Sequence, residues 1–125
     1  MQTQTVSSPR VIVSLLPPIE FMDVFSASRR HIHLRVKFEH EPQFPRLLET
    51  MQISMEKGKV NRDCKIVQVY KNGLGHWDFH LEPIKGSFPF GRLSIFHRRD
   101  KFKDKSITIQ ILYGNEWQDF QAALY

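Results

Sequence analysis

Two short stretches of the chain carry an imidazole or a carboxylate at every second residue. His31 and His33 alternate with Ile32 and Leu34, and His76, Asp78, His80 and Glu82 alternate with Trp77, Phe79 and Leu81. Residues two apart on an extended strand share a face, so each stretch presents one polar edge of side chains. If the two met, four imidazoles and two carboxylates would converge, a donor set suited to zinc or manganese or to general acid–base chemistry. The segments are distant in the chain, and nothing local pairs them. Alternation alone places polar residues on a solvated face, so the expectation is no metal, no cofactor and no enzymatic activity.

Cys64 is the only cysteine. One thiol makes neither an intrachain disulfide nor a zinc finger, which points to a reducing compartment, cytoplasmic or nuclear. As a nucleophile it would need an activating partner, but it stands between Asp63 and Lys65 at a strand entrance with no signature around it. Asn72-Gly73-Leu74-Gly75 is glycine-rich but lies between two strand patterns rather than before a helix, so it reads as a turn and not a phosphate loop. Lys85-Gly86-Ser87-Phe88-Pro89-Phe90 begins like an aromatic RNA-recognition strand. It lacks the aromatic at the third position, and its proline would break a central ladder, so that module is excluded.

The charge is segregated. Residues 29–37 carry +4 with no acid, residues 92–105 also +4, residues 57–65 +3, and the rest of the chain −6, within an overall +5. Clustered Lys and Arg favour a polyanion, because neutralised phosphates release condensed counterions. Arg29, Arg30, His31, His33, Arg35 and Lys37 form a basic strand face along which a phosphate backbone would track. Arg98, Arg99, Lys101, Lys103 and Lys105, with Phe102 among them, form a basic loop able to close over a ligand.

These residues need elements to position them. Only three alanines stand against ten phenylalanines, and β-branched residues crowd short runs, so strands dominate. Arg30 to Phe38 and Ile107 to Tyr113 alternate cleanly. Ile66 to Tyr70 and Trp77 to Leu81 flank the Asn72–Gly75 turn as a hairpin, and Arg10 to Leu15 and Arg92 to His97 are weaker strands. An amphipathic helix is expected near residues 45–57, opened by Pro45, with Phe44, Leu47, Leu48, Met51 and Met55 at helical spacing and Gly58 as its stop. A short C-terminal helix follows Gly114, capped by Asn115, with Trp117, Phe120 and Leu124 on one stripe. Pro18 to Ser26 reads as a further short helix. The fold class expected is therefore α+β, a mainly antiparallel sheet or small sandwich of about six strands with one helix packed across it.

A chain of 125 residues with 41% hydrophobic and 25% charged residues suits one globular domain over residues 10–125, preceded by a polar tail over residues 1–9. The apolar run Val11 to Leu16 is too short to span a bilayer and lacks the positive flank of a secretory leader, so no membrane association is expected. The expected function is non-enzymatic binding of nucleic acid, RNA before DNA because no major-groove recognition helix is evident. The rival is a protein-interaction module that meets an acidic partner. A homodimer is expected from a small β-rich chain with few edge protections.

Overall fold

A computed structural model of the chain describes residues 16–43, 45–90, 106–113 and 116–124. Seven strands account for most of them: β1 (Ile19–Ala27), β2 (Ile32–Phe38), β3 (Gln52–Lys57), β4 (Val60–Lys71), β5 (Trp77–Pro83), β6 (Ser106–Tyr113) and β7 (Glu116–Leu124). They close into a barrel in the order β1-β2-β5-β4-β3-β6-β7. Neighbours are antiparallel except β1 and β7, which run parallel where Asp23 and Val24 pair with Ala123 and Leu124. The β3-β4-β5 meander is inserted between β2 and β6, which brings β5 back beside β2 despite their distance in the chain.

Period-two alternation explains the barrel. Val24, Ile32, Leu34, Val36, Ile53, Met55, Phe79, Leu81, Ile107, Ile109, Ile111 and Ala122 all point inward and are buried. Intervening residues face out, as a strand's geometry requires. Each large aliphatic or aromatic side chain taken wholly inside stabilises the fold by about 1.5–3 kcal/mol relative to exposure. Among the described residues closure pairs every strand on both sides, the β1–β7 seam through two residue pairs, which weakens the edge-pairing reason for expecting a homodimer.

The strands expected at Arg30 to Phe38 and Ile107 to Tyr113 are present as β2 and β6, and the expected hairpin is β4–β5. The α+β class is overturned, for the structure is an almost wholly β closed barrel. Where the helix near 45–57 was expected, a 3-10 turn over Pro45–Thr50 is followed directly by β3. Met51 and Met55, four apart, fit a helical repeat and a strand repeat equally. Buried Ile53 between them decides for the strand. The expected C-terminal helix is β7, in which Trp117 points out while Phe120 leans on the core. Eight residue pairs with β6, from Ser106↔Ala123 to Tyr113↔Glu116, outweigh its local helical stripe. The helix read at Pro18 to Ser26 is β1, whose Met22, Val24 and Ala27 line the barrel. The weaker strands at Arg10 to Leu15 and Arg92 to His97, the tail over residues 1–9, and the loop of Arg98, Arg99, Lys101, Lys103 and Lys105 lie outside the described residues.

Candidate functional site

The outer face of β1, β2, β5 and β4 gathers the residues whose chemistry the sequence singled out. In the β2–β5 ladder His33 stands opposite His80 and Arg35 opposite Asp78. The two polar edges therefore meet, through a pairing that no local pattern announced.

Asp78 anchors the arrangement. It is 2% exposed, and a lone buried carboxylate would be costly. Arg35 compensates, donating from Nε to Oδ1 at 2.9 Å and from a terminal nitrogen to Oδ2 at 3.4 Å. Asn72 Nδ2 adds a third donor to Oδ2 at 3.2 Å. His33 Nε2 lies 3.3 Å from Oδ1, outside hydrogen-bonding geometry, and is buried with no hydrogen-bond partner. Burial pushes the Asp78 carboxyl up, but the hydrogen bonds from Arg35 and Asn72 and the nearby His33 prevail and hold it below its ordinary value. The Arg35 guanidinium is raised in turn, chiefly by its hydrogen bond to Asp78. Asn72 is fixed by the turn it builds. Its Oδ1 accepts from the backbone N–H of Leu74 at 2.8 Å and of His76 at 3.0 Å, with Gly75 at φ +84° completing the reversal.

Beside this pair runs a chain of hydrogen-bonded rings. His31 Nε2 and His80 Nδ1 are 2.9 Å apart, and His80 Nε2 and the Tyr70 hydroxyl 3.1 Å. The rings also lie against one another in a row. Centroids are 5.0 Å apart from Phe25 to His33, 4.3 Å from His33 to His80 and 5.6 Å from His80 to Tyr70, the last pair stacked. Arg35 lies over the Phe25 ring at 4.3 Å, so its cation is held between a carboxylate and a π face. Burial, reinforced by the neighbouring imidazoles, lowers the tendency of His31 and His80 to take a proton, against opposing pulls from Glu82 on His31 and Asp78 on His80.

Two bulges lie at the outer rings. Between Val24↔Leu34 and Ser26↔His33 the β1–β2 register slips by one residue, which leaves Phe25 projecting beside His33, 49% exposed. Between Ile66↔Leu81 and Gln68↔His80 the β4–β5 register slips likewise. This slip turns Tyr70 outward opposite Asp78, 38% exposed. Without it, strand parity would send Tyr70 into the barrel.

The expected site residues thus divide. His31, His33, Arg35 and Lys37 do share one face, and Arg29 and Arg30 precede it, both exposed. Arg30 donates to the Gly86 carbonyl at 2.7 Å, which leaves its charge unmatched. Arg35 is committed to Asp78 and is not a free phosphate contact. Phe25 and Tyr70 were missed as site residues. The signal available was parity, since Ile66 and Val69, like Val24 and Ala27, are apolar residues an odd number apart within one strand. Among the described residues, no group of three or more His, Cys, Asp and Glu side chains is arranged to hold a metal ion, and no helix is long and apolar enough to cross a membrane. Cys64 is buried and its thiol is pushed up to about 12, first by burial and then by Asp63, so it is no nucleophile at neutral pH. A separate open groove is lined by Ile66, Ile84, Trp117 and Lys65. Comparison with family models, with curated proteins and with solved structures finds no match to this chain.

Proposed function

We propose that this protein binds single-stranded nucleic acid, RNA before DNA, by stacking bases on the row Phe25–His33–His80–Tyr70 while Arg29, Arg30 and Lys37 contact phosphates. The observation that supports this reading is the continuity of the row, four rings in mutual contact across four adjacent strands. Three inter-strand steps of about 4.8 Å make a platform roughly 14 Å across. The inner rings lie against each other, so the rings most open to bases are exposed Phe25 and Tyr70 at the two ends of the row, and aromatic rings on a sheet face stack bases in RNA-binding modules. Each stacked base contributes about 1–3 kcal/mol without regard to sequence. The face also carries a vacant set of cations. Arg29, Arg30 and Lys37 have no ion-pair partner among the described residues. Among the described residues the one helical turn, Pro45–Thr50, is too short to read a major groove, and the reading therefore takes a single-stranded target.

The test is a fluorescence anisotropy titration with labelled oligouridylate, its deoxy counterpart and a duplex. Three phosphate contacts predict a slope of log K against log salt of about −2 on single strands. The single-stranded RNA should bind more tightly than the duplex. No binding to either single strand at low salt, or a preference for the duplex, overturns this reading.

A further inference from the structure

We propose that the hydrogen-bonded His31–His80 pair beside His33 is a proton-operated control on this same site: neutral, it leaves His80 in the row that meets bases, and protonated it adds positive charge that draws the phosphates in. The inference rests on the RNA-binding reading above and extends it to regulation.

The geometry provides for one extra proton. The His31 Nε2···His80 Nδ1 contact holds a single hydrogen between two imidazoles. An imidazolium at His80 donates from Nδ1 to His31 Nε2 and from Nε2 to the Tyr70 oxygen, so both its N–H groups find acceptors already in place. A second proton on the His31–His80 pair would set two N–H groups against each other and open that contact.

The charged groups around the cluster come from every strand packed on it. On β1 stands Asp23, opposite Arg35. On β2 the Arg35 charge is matched by Asp78 of β5. Glu82 of β5, opposite Lys65 of β4, favours a proton on His31. The Tyr70 hydroxyl of β4 shares a hydrogen bond with His80 Nε2, and His76 packs against Phe21, away from the row. Arg29 and Arg30 stand just before His31, both exposed. A phosphate over the platform supplies the counter-charge these imidazoles lack, so RNA binding draws protons onto them, and protonation strengthens RNA binding by the same factor.

The experiment measures the affinity of oligouridylate at about pH 8 and about pH 5.5, either side of the ordinary histidine range, at constant ionic strength. One added charge on the His31–His80 pair, worth severalfold, predicts about a fivefold tightening at the lower pH. The double variant His31→Gln, His80→Gln should reduce that ratio to about twofold. Circular dichroism establishes that it folds. On the unsubstituted protein, NMR titration of the histidine ring protons gives a second readout, in which bound oligouridylate should move the midpoints of His31 and His80 upward. Equal affinity at both pH values, or midpoints that RNA leaves in place, overturns the control while leaving the RNA reading intact. Absence of binding at both values overturns the RNA reading and the control together.

Discussion

Replacing Asp78 by Ala should be among the most destabilising single changes on the outside of this barrel. Its carboxylate is 3% exposed at the side chain and Arg35 is 22% exposed, so the substitution strands a partly desolvated guanidinium and leaves the Asn72 amide without its acceptor. Breaking one half of a buried pair typically costs about 3–5 kcal/mol. Water reaching the more exposed Arg35 brings the expected loss to about 2–3 kcal/mol. With a urea slope of about 2 kcal/mol/M, the midpoint should fall by about 1–1.5 M at unchanged slope, read by far-ultraviolet circular dichroism. Pairing Asp78→Leu with Arg35→Met removes both charges and should recover most of the loss, because the stranded charge rather than a missing attraction carries the cost. A loss below about 0.5 kcal/mol for Asp78→Ala, or a double variant no more stable than the single one, would refute this account of the pair.

Stability should fall with acid in two stages. His31 and His80 are held below the ordinary histidine value, so the unfolded chain takes protons first and stability declines as pH drops below about 6.5; His31→Gln with His80→Gln should flatten that stage in thermal melts. Asp78 is also held below its ordinary value, so its contribution persists above about pH 4 and is lost as pH falls through its folded-state value; an unfolding midpoint that does not change between about pH 7 and pH 5 contradicts the first stage. Cys64, with its thiol at about 12 and buried, should resist iodoacetamide at neutral pH in the native protein and react on unfolding; rapid native alkylation would show that the site opens. Phe25→Ala and Tyr70→Ala should each weaken single-stranded RNA binding by about 5- to 100-fold without altering the far-ultraviolet spectrum, since both rings are exposed; unchanged affinity in both removes the row from the site.

What could be read from the chain was what short-range alternation encodes. β2 and β6 alternate without interruption, and the β4–β5 hairpin is marked by Asn72 and Gly75, whose turn geometry matches their residue types. Errors arose where one spacing serves two periods. Met51 and Met55 fit helix and strand alike, and Trp117 with Phe120 suggested a helical stripe that the β6 ladder overrides. The site was legible in part. The alternating imidazoles and carboxylates were visible as two faces, but their union depends on β5 returning beside β2, a non-local pairing set by barrel closure. Arg35 read as a phosphate contact because the burial of Asp78 is a property of the packed face rather than of any segment. Tyr70 owes its outward aim to a bulge, because a one-residue slip reverses the face of everything beyond it, whereas Phe25 follows inward Val24 by plain alternation.

The central claim, that the row of rings receives nucleobases, is most directly tested by aromatic and histidine NMR during titration with oligouridylate. The account predicts that the resonances of Phe25, His33, His80 and Tyr70 shift together and saturate at one affinity, with Trp117 unmoved. Shifts confined to Trp117 in the separate groove, with the four rings unchanged, would contradict it.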